Sequence, residues 1–163
     1  MISLKNIAKV CLGSLLLALT CSLVTPDRTQ LPRFWFLENS TVFVQDSAFY
    51  IQQGEGAEPV QLMEWMIGVF NDNPTVIMEV QGHADSNERE PNGLGLSRAT
   101  VIKDSLVAHG IAPGRIVTTS KGAQEPLIDR TTIDRMKTKV ERALARQENR
   151  RVDMKFVAWD WKP

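Results

Sequence analysis

Val76-Ile77-Met78-Glu79-Val80-Gln81-Gly82-His83-Ala84-Asp85 sets the architecture of this chain. Val76, Met78 and Val80 fall on one side of an extended backbone, Glu79 and Gln81 on the other. That is the period of a half-buried strand. Asp85 to Asn92 is polar and turn-rich and reads as a loop. A helix follows, with Asn92 or Gly93 as its cap and Leu94, Ala99, Ile102 and Leu106 along its buried side. Gly110 suits the left-handed position just past its end, with Ile111 packing back on the last turn. Arg115 to Thr119 is then a short strand.

Working outward, Thr41-Val42-Phe43-Val44 and Phe49-Tyr50-Ile51 are β-rich and read as one strand or two short ones. Pro59 opens a helix whose apolar stripe is Leu62, Trp65, Met66, Val69 and Phe70, stopped by Asn71 to Pro74. On the other side, Ile133, Met136, Val140 and Leu144 mark one helix within Thr131 to Gln147. Asn149-Arg150-Arg151 opens a last strand in which Val152, Met154, Phe156 and Ala158 alternate with Arg151, Asp153 and Lys155. Strands alternating with helices predict an α/β (α+β) two-layer sandwich. The last strand directly follows a helix, so the sheet is expected to be mixed, in the order β-α-β-α-β-(α)-β with helices on one face.

The chain has 163 residues, enough for one domain and a short appendage. Nineteen basic residues balance nineteen acidic ones, which argues against an electrostatic nucleic-acid binder. Both cysteines, Cys11 and Cys21, lie in the N-terminal apolar run, so the globular part offers neither a disulfide nor a thiolate metal site.

Residues 1–24 read as a signal peptide or N-terminal membrane anchor. Lys5 and Lys9 precede the uncharged run Val10 to Val24, the layout of an export signal. That run spans roughly 22 Å as a helix, short of a bilayer's roughly 30 Å apolar core. Cys21, in Ala18-Leu19-Thr20-Cys21-Ser22, has three readings: a lipidation site, a residue near ordinary signal cleavage, or an apolar residue of an uncleaved anchor. Each of them exports the remainder. Residues 25–40 read as a short tether containing Pro26 and Pro32, and 41–160 as the domain. The aromatic group Phe34-Trp35-Phe36 either rests on a membrane surface or covers the core edge. Trp159 and Trp161 carry the same two readings.

Asp85 begins a loop at a strand end, where α/β sheets tend to bind ligands. It can accept hydrogen bonds from an ammonium group. Arg98 presents a rigid fork suited to a carboxylate. Together they suit a small zwitterion, or else they pair with each other as a salt bridge. Arg150 and Arg151 point to opposite faces, one toward the ligand loop or both along a basic strand edge. His83 and Asp85 are two apart, a weak metal signal, and His109 sits at a helix C-terminus, where a cation is favoured anyway. There is no nucleophile elbow, phosphate loop or His-Glu-x-x-His, and Gly93-Leu94-Gly95 lacks the third glycine of a dinucleotide fingerprint. No cofactor, metal or catalytic group is therefore expected.

Gly82-His83-Ala84-Asp85, Leu94-Gly95-x-x-Arg98-Ala99, Gly110-Ile111, Gly122 to Pro126 and Asn149-Arg150-Arg151-Val152 resemble, in that order, the motifs of OmpA-like peptidoglycan-binding domains. The resemblance runs from about Val42 to Val157. It implies a non-enzymatic module that binds peptidoglycan through the diaminopimelate of the stem peptide. By position, Asp85 and Arg98 would grip that residue, with Asn92 as the loop asparagine and Arg150 as the first arginine of the last motif. Ala84 replaces a frequent threonine, Gly95 stands where serine is usual, and the Asp85–Arg98 spacing is tighter than the common pattern. The resemblance further implies an anchor in the envelope of a Gram-negative-type bacterium, facing the periplasm and held at the outer membrane. The partners would be peptidoglycan, a membrane through the N-terminus, and other envelope proteins. A protein–protein module docking through the long helix near Thr131 to Gln147, or a wall hydrolase using His83 and Asp85, are the alternatives.

Overall fold

A computed structural model of the chain describes residues 31–55 and 57–158. The signal or anchor segment, Cys21, Trp159 and Trp161 lie outside the described residues. The elements run β1 (Phe34–Trp35), α1 (Ser47–Gln52), α2 (Pro59–Asp72), β2 (Ile77–His83), α3 (Pro91–Ala108), β3 (Ile116–Gly122), α4 (Arg130–Arg135), α5 (Lys139–Asn149) and β4 (Arg151–Ala158). The four strands form one sheet in the order β1-β4-β2-β3. β2 and β3 are parallel, with Val80 opposite Thr118, while β4 runs antiparallel to both β2 and β1. The mixed sheet expected from the helix-to-strand junction is therefore present.

The alternation in β2 works as the sequence implies. Val76, Met78 and Val80 are fully buried, and together with Leu62, Met66 and Phe70 of α2 and Ala99, Ile102 and Leu106 of α3 they form the core. Burying such side chains stabilises the fold by roughly 1.5–3 kcal/mol each. α3 lies directly across β2 and β3. Its approach is close because Gly82 and Gly95 face each other: a Cβ on Gly82 would stand 1.7 Å from the Gly95 carbonyl oxygen. Gly110 takes φ +89° and Ile111 N–H returns to the Leu106 carbonyl, as the C-terminal signal predicts.

Several local expectations are corrected. Phe49-Tyr50-Ile51 belongs to a helix, because Asp46 caps its first turn by accepting from Ala48 N and Phe49 N. The first strand is instead Phe34–Trp35. Phe34, Trp35 and Phe36 are at most 1% exposed, inside the segment read as tether, so they are core and not a membrane-resting surface. Val44 N and Phe43 extend this edge only through isolated bridging to Trp35 and Phe36. The helix across Thr131 to Gln147 is two helices. Thr138 and Glu141 form a reciprocal capping box that starts α5 afresh after Met136. α3 begins at Pro91 with Glu90 before it in a left-handed conformation, so neither Asn92 nor Gly93 is its cap. Asn149 ends α5 and Arg150 caps it, so the last strand opens only at Arg151.

Candidate functional site

The C-terminal end of β2, the loop that follows it, the start of α3 and the end of α5 converge at one end of the sheet. Asp85 leaves β2 two residues after its last member and is 2% exposed. Its Oδ1 accepts from Asn87 N at 3.0 Å, an Asx-type turn that shapes the loop. Its Oδ2 accepts from Asn149 Nδ2 at 3.0 Å. The Arg146 guanidinium, one-third exposed, stands over Oδ1 at 3.9 Å. Arg146 also donates to the Asn87 side-chain oxygen once that amide is oriented toward it. Arg146 and Asn149 share one face of α5 through their three-residue spacing, and Arg150 follows as its cap. That spacing was legible in the sequence, yet attention to the arginine pair alone passes over Arg146 and the role of Asn149.

Arg98 is fully buried. All five of its donors are engaged. Nε donates to the Ser40 carbonyl, Nη1 to the His83 carbonyl and to Glu88 Oε2, and Nη2 to the Leu37 carbonyl and to Glu88 Oε1. The guanidinium lies 5.4 Å from the Phe36 ring centroid. One arginine therefore ties together the 37–40 turn, the end of β2 and the 85–90 loop. Asp85 and Arg98 do not pair with each other. They share Glu88 instead: Oε2 accepts from Asp85 N at 3.0 Å and from Arg98 Nη1 at 2.8 Å. Glu88 had no individual signal in the sequence, being one of four charged residues in a polar loop.

The other expected site residues take different positions. Asn92 is exposed, its carbonyl accepts from Ser120 Oγ, and its side-chain amide lies against Gly122 of β3. No hydrogen bond joins it to Asp85. Arg150 is buried, donates to Gln147 Oε1 at 2.7 Å, and leaves Nε without a partner. Burial lowers its pKa, while Glu88, Glu38 and Asp85 nearby oppose that shift. Arg151 turns away and pairs with Asp153 at 2.9 Å.

His83 is buried at the β2 end with Nε2 3.4 Å from Asp153 Oδ2. Desolvation first, and the Arg151 charge second, lower its pKa to about 4. The imidazole is therefore neutral at physiological pH. Among the described residues no group of three acidic, histidine or cysteine side chains could hold a metal ion. An apolar cleft of about 250 Å³, lined by Phe43, Pro59, Val60, Met63 and Ile67, opens beside α2 and contains none of the expected site residues. No described helix is long and apolar enough to cross a membrane.

Residues 43–139 match the model of the OmpA family. Among solved structures, the C-terminal domain of Helicobacter pylori MotB superposes with a TM-score of 0.56 at 20% identity, covering 79% of this chain and 86% of that one. The peptidoglycan-associated lipoprotein from Burkholderia pseudomallei gives 0.57 at 18% identity, covering 82% and 98%. The OmpA-like domain of Francisella tularensis FopA1 gives 0.51 at 14%, covering 77% and 74%. At these identities the likeness is one of fold. No curated protein matches the chain in sequence.

Proposed function

Because the chain belongs to the OmpA family, we propose that it is a non-enzymatic module that binds peptidoglycan and tethers an envelope membrane to the wall. The finer reading is recognition of diaminopimelate in the stem peptide, with Asp85 accepting from its ammonium and Arg98 receiving its carboxylate. Arg150 lies in the same cluster with an unpartnered buried donor, Nε. Asn92 is at the outer rim on α3, where it would meet the rest of the stem peptide. The N-terminal apolar run would hold the membrane, with the domain on the periplasmic side.

The observation that carries this reading is the burial of two opposite charges, Asp85 and Arg98, around one loop at the sheet's end. Buried charges are costly unless paired, and a ligand bearing both signs complements both. Each charge already has an internal partner, so ligand entry is an exchange of partners and not the filling of a vacancy. The fold's resemblance to a peptidoglycan-associated lipoprotein supports the same class of ligand.

The test is sedimentation of the full chain with purified sacculi containing meso-diaminopimelate. Asp85→Asn keeps the shape of the side chain and removes its charge. Loss of a desolvated charge partner costs roughly 2–5 kcal/mol, so retention should fall at least about tenfold. Retention at the wild-type level by a folded Asp85→Asn chain would contradict the assignment.

A further inference from the structure

Glu88 stands where no ligand-binding role was expected, yet it is the most fully hydrogen-bonded carboxylate of the cluster. Its side chain is 1% exposed. It accepts from Asn39 N at 2.7 Å, Asp85 N at 3.0 Å, Arg98 Nη1 at 2.8 Å and Arg98 Nη2 at 2.7 Å. Two parallel bonds from one guanidinium to one carboxylate are the geometry in which arginine takes a carboxylate of any origin. The three remaining Arg98 donations go to backbone carbonyls, two in the 37–40 turn and one at the end of β2. No Arg98 donor is left for a second carboxylate.

We propose that Glu88 is an affinity-determining residue: it fills the seat on Arg98 that a ligand carboxylate would take, so that wall binding is the exchange of one carboxylate for another. This rests on the peptidoglycan reading above. The hydrogen bonds balance. An incoming carboxylate takes over the two Arg98 bonds and the Asp85 and Asn39 amides, and Glu88 regains water. The opposing term is that Glu88 is tethered to the site and competes at high effective concentration.

The loop is built to allow that departure. Residues 84–90 belong to neither helix nor strand, and Ser86, Asn87, Arg89 and Glu90 around Glu88 are exposed. Glu90 holds φ +45° without being glycine, a conformation that L side chains resist. Apart from Glu88, what pins the 85–90 loop to the 37–40 turn is Asn39, whose Oδ1 accepts from Arg89 N at 2.8 Å. On the Asp85 side, Arg146 imitates the ligand's other charge at the longer distance of 3.9 Å.

The experiment compares wild-type and Glu88→Gln full-length chains, binding both meso-diaminopimelate sacculi and free meso-diaminopimelate, with thermal unfolding recorded for each. Glu88→Gln keeps the size and weakens the hold on Arg98. We expect the folded variant to bind free meso-diaminopimelate about tenfold or more tightly, since the fraction of molecules with an open seat rises. Equal or weaker binding by Glu88→Gln, with wild-type sacculus binding intact, makes Glu88 a structural brace only and overturns the inference alone. Failure of both chains to bind sacculi overturns the peptidoglycan reading and this inference with it. Should Glu88→Gln unfold, Asn39→Gly releases the loop anchor while keeping the left-handed backbone. Tighter binding by that variant supports the exchange, and unchanged binding refutes it.

Discussion

Asn149 Nδ2 donates to Asp85 Oδ2 at 3.0 Å, joining the end of α5 to the end of β2 across 64 residues. The same amide also donates to the Ile128 carbonyl at 2.8 Å and accepts from Ile128 N at 3.0 Å. One side chain thus fixes the orientation of the candidate carboxylate and pins the β3–α4 connection. Asn149→Ala leaves a buried carboxylate oxygen and two backbone groups short of partners. Unsatisfied groups of this kind cost about 1–3 kcal/mol each. We expect Asn149→Ala to lower the urea midpoint clearly, and Asn149→Asp to lower it further by placing a second carboxylate against Asp85.

Arg98→Lys tests the brace formed by the guanidinium. A lysine supplies three rotating donors in place of five in a plane, so it cannot serve Glu88 and three carbonyls together. Breaking a buried pair costs about 3–5 kcal/mol. The expected result is a large drop in thermal stability. For that reason a loss of wall binding by any Arg98 variant means something only beside a measurement of its folding. Arg98→Lys with wild-type stability would contradict the arrangement described.

The Gly82–Gly95 contact predicts that serine is excluded from position 95 of this chain. A Cβ on Gly95 would stand 2.6 Å from Ser120 Oγ and 2.7 Å from the Gly82 carbonyl oxygen. The hydroxyl can rotate away, but the backbone oxygen of a central strand cannot. Overpacking of this type costs about 1–3 kcal/mol, so Gly95→Ser should destabilise, and Gly82→Ala should do so more severely. Chemical denaturation of both variants checks the ranking.

His83 gives a pH dependence with a definite sign. Its folded pKa is about 4 against an ordinary 6.5, because burial and the nearby Arg151 oppose the imidazolium. As pH falls below about 6.5 the unfolded chain takes up a proton that the folded chain refuses until about pH 4. The stability contribution is thus complete above 6.5 and is lost between 6.5 and about 4, by up to about 3 kcal/mol. Urea midpoints at pH 7, 5 and 4 measure it. A His83→Gln chain should lose that part of the slope, and an unchanged slope would rule out His83 as its source.

The central strand was legible because Val76, Met78 and Val80 alternate without ambiguity along and just before β2, and α3 because the polar loop before it and Gly110 after it mark its ends. The first strand was not legible. Phe34 and Trp35 make a strand of only two residues, too short for any period, and their burial depends on β4, which lies more than a hundred residues on. The break between α4 and α5 was hidden because Ile133, Met136, Val140 and Leu144 keep helical spacing across it, although the capping pair Thr138 and Glu141 was in plain view. In the site, Asp85 and Arg98 stood out by charge and by position beside regular elements. Glu88 and Arg146 did not, since each acquires its role only when the loop folds back against Arg98 and α5 closes over Asp85.

The proposed hold on the wall is through a group bearing an ammonium and a carboxylate together. It is tested most directly by loading the full chain onto meso-diaminopimelate sacculi and eluting separately with free meso-diaminopimelate and with cadaverine, which has its two ammonium groups and no carboxylate, at equal concentration. Elution by meso-diaminopimelate but not by cadaverine is the predicted result. Equal elution by both, or no retention at all, would contradict it.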